Sequence, residues 1–321
     1  MLPRSRTRRY TQGNISDIIY SLKNQPEFDI NKETWFRGQP SYSHKLLPSL
    51  FRHQQPDGSK VFYDEAGMYE EFVRRYADYS NSHKNIFEWL TLMQHYGLPT
   101  RLLDWTTNLL VALFFCCREG KDDNGAIYAF NPKYTNVSKK YIEALVFSEN
   151  IESFYIKIIE LVSDEWGDDS PINDVPVSEW KSDYAHLGKI SNDLKNIEAS
   201  NPKLTQVKNS KSFPSINKNG WELHLLSKSH PFKPPHLNPR IRQQHGFFTI
   251  HGGKYFEGLE FIEMKSMEEK DNETILIKAS IKSSDKVNIL TELAICGITE
   301  ATLFPEIEYQ AKQIKELYRN K

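Results

Sequence analysis

The chain has 321 residues, 39% of them hydrophobic and 26% charged, the composition of a globular protein of two average domains or one large one. Its 41 Lys and Arg against 42 Asp and Glu leave a net charge of −1, so no global field marks it as a nucleic-acid or membrane-surface protein. Three cysteines, Cys116 and Cys117 adjacent and Cys296 distant, fit free thiols in a reducing cytoplasm, and the longest apolar run, Leu109 to Cys117, is too short to cross a bilayer.

The opening "MLPRSRTRRY" carries four arginines but is not followed by the apolar core of a signal peptide. It reads either as a frayed basic tail or as an arm that touches phosphate or an acidic partner. "SDIIYSLKN" then sets Ile18, Ile19 and Leu22 on one helical face, and "ETWFRGQ" is a short aromatic strand ending at Gly38. From Asp64 to Tyr79 the apolar residues Met68, Phe72, Val73 and Tyr76 recur at helical spacing, and Phe87, Leu90 and Met93 do so up to Tyr96. Gly97 suits the left-handed position past a helix, and Pro99 forbids continuation. "TRLLD" reads as a short buried strand. Thr106, Thr107 or Asn108 caps "LLVALFFCC", a helix apolar on every side and therefore covered on nearly every side.

"GAIYAF" is a further strand. Residues 131 to 236 are polar, with isolated helical patches ("YIEALVF", "SFYIKIIELV"), and read as a mainly helical insertion. "NPRIRQQHGFFTIHGG" returns to strand character and turns at Gly252 and Gly253. "ETILIKASIK" is a strand, "VNILTELAICGI" a helix closed by Gly297, and "FPEIEYQAKQIKELY" the closing helix. The expected organisation is a basic tail and first helix (1–32), a first core half (33–130), the insertion (131–236), and a second core half with the closing helix (237–321). Strands early, in the middle and late, separated by helices, give an α+β fold with a mixed central sheet flanked by helices.

No Gly-rich phosphate loop, CxxC pair, HExxH or GxSxG occurs, and the ten histidines are dispersed, so no metal is expected. The polar residues that stand out lie between apolar stretches. His95 falls in a last helical turn, where a histidine also complements the helix dipole. Arg101 and Asp104 flank buried leucines and read as a buried ion pair. Arg37 precedes Gly38 at a strand end, where a missing side chain lets a ligand approach. Of Gln243 and Gln244, adjacent on a strand, one must face each side, so one can point into a site.

Together, "FRGQ" (36–39), "LLPSLFR" (46–52), "QHYGLPTRLLDWTTN" (94–108), "RIRQQHGFFTIHG" and "LFPEIE" resemble the FRG domain family, named for its Phe/Tyr-Arg-Gly motif, over about residues 33 to 310. The resemblance implies bacterial mobile-element or phage-defence settings and no settled activity. A weaker resemblance is to ADP-ribosyltransferases, in which an arginine on the first core strand binds NAD, a strand running into a helix supports the nicotinamide ribose, and a late Glu-x-Glu aligns it.

Carried onto this chain, that resemblance implies catalytic roles for Arg37, Arg101, Asp104, Glu306 and Glu308. It implies substrate contacts from Gly38, Gln39, Gln94, His95, Tyr96, Trp105, Thr106, Gln243 and Gln244. Asp-Trp-Thr stands where the usual Ser-Thr-Ser would be, and Pro305 before the acidic pair is also how a helix begins. Two readings follow. One is an effector enzyme that cleaves NAD or transfers ADP-ribose to a protein or nucleic-acid acceptor. The other is a module that binds a nucleotide, nucleic acid or protein signal without turnover.

Overall fold

A computed structural model describes residues 7–9, 13–24, 29, 32–52, 62–132, 139–149, 153, 157, 229–235, 237–256, 259–262, 266–268 and 276–319. In chain order the elements are β1 (Thr7–Arg9), α1 (Ile15–Lys23), β2 (Trp35–Gln39), α2 (Glu65–Arg75), α3 (Ile86–His95), β3 (Leu102–Thr106), α4 (Leu109–Cys117), β4 (Gly125–Phe130), α5 (Lys139–Phe147) and β5 (Ser229–Phe232). They continue with α6 (Pro239–Gln243), β6 (Gly246–His251), β7 (Lys254–Phe256), β8 (Leu259–Ile262), β9 (Leu276–Ile281), α7 (Lys286–Ile295), α8 (Glu300–Leu303) and α9 (Ile307–Leu317). The α+β architecture is thus a seven-stranded sheet in the order β1-β9-β4-β2-β3-β6-β5. All neighbours are antiparallel except β1, which joins β9 in parallel, and β7 and β8 form a separate hairpin.

The strands alternate their side chains between two cores. On one face, Ile127 and Ala129 of β4 meet α1, α4 and α7, while Leu102, Phe248 and Ile250 meet α2, α3 and α5. On the other face, Trp35, Leu103, Trp105, Tyr128 and Phe130 pack with Leu46 and Met267. Two groups of helices therefore lie side by side on one face of the sheet. α4 is apolar all round because it is covered by β2 beneath and by α1 and α7 above. Gly38 makes that packing possible. A Cβ there would overlap the Ala112 carbonyl oxygen and come within 2.7 Å of Cys116 N.

Helix ends follow their local signals. Asn14, Asn85 and Asn108 cap α1, α3 and α4 with side-chain acceptors. Gly97 and Gly297 adopt positive φ (82° and 79°) just past α3 and α7. Other local readings give way to the structure. Part of the basic tail adds β1 to the sheet edge. "RIRQQ" is a helix, α6, rather than the start of a strand, because Asn238 accepts from Arg240 N at 2.7 Å and Pro239 occupies the first turn. Of the segment 131–236, α5 supplies buried Tyr141, Ile142, Leu145 and Val146, and β5 forms the sheet edge against β6. The patch "SFYIKIIELV" lies almost wholly outside the described residues.

Candidate functional site

The sheet opens at one place. β2 pairs with β4 along its whole length but meets β3 at a single position, Phe36 opposite Thr106. Along its other edge β3 pairs with β6 over its whole length. Backbone groups left facing such a gap need other partners. The Asp104 carbonyl finds one in the Arg37 guanidinium, whose NH1 donates to it at 2.6 Å and lies 3.6 Å from Asp104 Oδ2. Arg37 is only 16% exposed at its side chain, and its Nε is buried without a hydrogen-bond partner. Burial lowers its pKa, and Asp104 opposes that shift. Guanidinium stays charged throughout ordinary pH regardless.

Above the gap, between α3 and α4, lies a cleft of about 310 Å³. Its floor and walls are apolar (Phe36, Val111, Ala112, Phe115, Ile241, Phe248), and its polar groups include Arg37, Gln94, His95, Asp104, Arg118, Glu119, Arg240 and Gln244. A concave apolar site with a few converging polar groups is the usual form of a small-molecule site. Gln94 braces it. Its amide accepts from Thr100 Oγ1 and donates to Asp104 Oδ2 at 2.9 Å, which leaves the Asp104 side chain fixed yet 57% exposed.

The expected pair of Arg101 with Asp104 does not form. Three residues apart on an extended chain, the two side chains leave on opposite faces. Arg101 is completely buried and pairs through two hydrogen bonds with Glu65 of α2. Its NH1 donates to the carbonyls of His251 (2.7 Å) and Gly253 (3.3 Å). It borders a second, smaller cavity with Glu65 and Lys254, away from the cleft. Arg101 thus ties α2 to the β6–β7 turn.

The other sequence-predicted residues divide in the same way. His95 lines the cleft, and its Nε2 lies 3.7 Å from Glu306 Oε1, too long for a hydrogen bond. Burial first, then the nearby Arg240, lowers the His95 pKa, with Glu306 opposing. Glu306 sits just behind His95, outside the cleft lining, with Oε2 buried and unpartnered. Glu308 is exposed in the first turn of α9, which begins as Pro305 and the acidic pair allow. Thr106 lines the cleft, but its hydroxyl is spent on the Gln244 carbonyl and the Asn108 amide.

Trp105 borders the cleft from below while its ring packs on Phe130 in the far core, and its indole N–H donates to Thr249. Gln39 is buried and donates to the Lys45 carbonyl, and Tyr96 is exposed beside His95. Gln244 lines the cleft as the residue capping α6 and donates to the Leu303 carbonyl, whereas Gln243 is exposed. Gly38 serves the packing of α4, so its bareness is accounted for without a ligand.

Sequence reasoning missed two cationic residues of the cleft. Phe304 lies between them, with Arg118 Cζ 4.9 Å and Arg240 Cζ 4.4 Å from its ring centroid. Arg118 also pairs with Glu119 and Glu300. Arg118 lies outside the quoted motif stretches, and Arg240 opens "RIRQQHGFFTIHG", where the two glutamines rather than the arginine drew attention; Asn-Pro ahead of it is a helix-start signal. Arg52, whose pKa is lowered to about 10 by burial and by Arg37, marks further positive charge near the same gap.

Among the described residues no group of three or more His, Cys, Asp or Glu is placed to hold a metal ion, no helix is long and apolar enough to cross a membrane, and the three cysteines are free. No curated protein and no solved structure matches the chain. The family comparison stops short of "RIRQQHGFFTIHG" and "LFPEIE", and so of the α6 wall that carries Arg240. From β2 through α4, the part that supplies Arg37, Gln94, His95, Asp104 and Arg118, residues 32–125 match the model of the FRG domain.

Proposed function

We propose that the cleft binds a nucleotide-class small molecule through its phosphates, with NAD as the candidate ligand. The observation that carries this reading is the state of Arg37. Its guanidinium is held by the Asp104 carbonyl at the edge of the cleft while its Nε–H is buried and unsatisfied. A buried donor without a partner is rare in folded chains and marks Arg37 as a side chain held in place at some cost. The residue borders the cleft, and a planar guanidinium suits a phosphate through paired donors. Arg240, on the opposite wall, offers a second cation, and the apolar floor with Phe36, Phe115 and Phe248 suits a flat ring.

Turnover of NAD is the sharper form of the proposal. Loss of nicotinamide leaves an oxocarbenium-like ribose, which a fixed carboxylate stabilises. Asp104, braced by Gln94 and exposed in the cleft, supplies one. The effector role implied by the family resemblance rests on this turnover. The competing reading, binding without turnover, is favoured by the position of Glu308, which is exposed outside the cleft, so that no Glu-x-Glu pair faces the ligand.

The test is calorimetric titration with NAD, ADP-ribose and ADP, alongside nicotinamide release with and without cell lysate. Binding that weakens about tenfold in both Arg37→Lys and Arg240→Ala supports the nucleotide site. Release that is abolished in Asp104→Asn supports turnover, and binding with no release leaves the module reading. No binding of any of the three ligands overturns the proposal.

A further inference from the structure

Among the described residues, the last helix, α9, is fastened to the body through Tyr309, Gln310 and Lys312. Tyr309 stacks on Phe304 with ring centroids 4.6 Å apart, Gln310 Nε2 donates to the carbonyls of Ala301 and Phe304, and Lys312 pairs with Glu300. No residue of the helix is buried. From the side opposite Tyr309 and Lys312 emerge Ile307, Ala311, Ile314 and Tyr318, spaced four, three and four apart. That spacing returns to one line of a helix with 3.6 residues per turn. Ile307 is 80% exposed, Ile314 56% and Tyr318 82%, with Leu317 beside them at 74%. A continuous apolar stripe aimed away from the body is an interaction surface rather than part of this chain's core.

We infer that this stripe is a self-association surface, on which α9 of one chain lies antiparallel against α9 of a second copy. The four-three-four spacing is the seam that lets two helices pack side by side. Reversing the second helix brings Ile307 opposite Tyr318 and Ala311 opposite Ile314, a large residue against a large one and a small one against a medium one. The charges that flank the stripe on one side are Glu308 and Lys315. In the same reversed register each Glu308 meets the other copy's Lys315, and the two-fold axis makes the pair occur twice. A parallel arrangement sets Glu308 level with Glu308 and Lys315 level with Lys315, and gains no such pair. The self-complementarity of pattern and charge is what selects a second copy over an unrelated partner. An eleven-residue helix is about 16 Å long, so the seam is small and the association weak.

Sedimentation velocity of the whole chain from about 10 µM to about 1 mM tests this. A monomer–dimer shift is expected, and Ile314→Asp removes it. Glu308→Lys and Lys315→Glu each weaken it about tenfold, and the double exchange restores it. The restoration is the discriminating result. The double exchange places a lysine in the first turn and a glutamate in the last, both adverse to the helix dipole, so fraying alone makes it the weakest of the set. Circular dichroism confirms that each variant keeps its helix. A monomer at every concentration, a dimer indifferent to Ile314→Asp, or a double exchange no better than the single ones overturns the inference.

Discussion

The Arg37 guanidinium donates to the Asp104 backbone carbonyl at 2.6 Å, filling the hydrogen-bonding place that β2 leaves vacant where it parts from β3. One residue thereby completes the sheet and furnishes the cleft with a fixed cation. The two roles separate in Arg37→Lys. Lysine can still reach one carbonyl but has no second, coplanar donor for a phosphate. The variant is expected to fold with a stability loss of about 1 kcal/mol while losing at least about tenfold in ligand affinity. Urea melts with parallel titration check both halves, and an unfolded variant assigns Arg37 to the scaffold alone.

Arg101 should behave in the opposite way. Arg101→Leu leaves Glu65 buried and unpaired, as Glu65→Leu leaves Arg101. Each single change is expected to cost about 3–5 kcal/mol, and the double change less than the sum. Chemical denaturation of the three variants measures this. Ligand affinity per folded molecule should stay at the wild-type value, since Arg101 borders the smaller cavity and not the cleft.

Gly38→Ala tests the packing account of the Arg-Gly pair. The new methyl meets the backbone of α4 at Ala112 and Cys116, which cannot yield as a flexible side chain would. A loss of about 3 kcal/mol or more is expected, read as a lowered melting temperature or insoluble expression. A variant of normal stability would mean that α4 can shift, and that Gly38 is there for a ligand after all.

The His95 pKa is lowered in the folded chain, first by burial and then by Arg240. The unfolded chain therefore takes up a proton near pH 6.5 that the folded chain still refuses. Stability is lost as pH falls from about 6.5 toward the lowered value, and the effect is absent above it. Relative to His95→Asn, the wild type should lose melting temperature between pH 7 and pH 5. A difference that stays constant over that range is the contrary result.

Lys254 provides the matching case at alkaline pH. It donates to the Val146 carbonyl at 2.6 Å, and burial brings its pKa from 10.5 to about 8. Between those values the unfolded chain keeps a proton that the folded chain has released, so stability from this group rises with pH across that window. The melting temperature of the wild type minus that of Lys254→Met should accordingly shift in favour of the wild type between pH 8 and pH 10. A flat difference would show that the ammonium is not held in a low-dielectric setting.

Much of the architecture was legible in the chain itself, because the signals are local. Gly97 and Pro99 end α3, Asn108 starts α4, and the all-round apolar "LLVALFFCC" announces a helix covered on both sides. Of the residues singled out in the motif stretches, Arg37, Gln94, His95, Asp104 and Thr106 line one cleft. What the sequence could not decide was which charge meets which. Arg101 finds Glu65 across 36 residues and Asp104 meets Arg37 across 67, choices set by strand alternation and by the register of distant elements. Arg240 joins the cleft only because α6 packs beside α3 and the sheet, and Glu308 is excluded because α9 starts where it does. Periodicity, caps and turns depend on neighbours a few residues away and can be read from them. A binding cleft is assembled by long-range packing, which no stretch of chain contains alone.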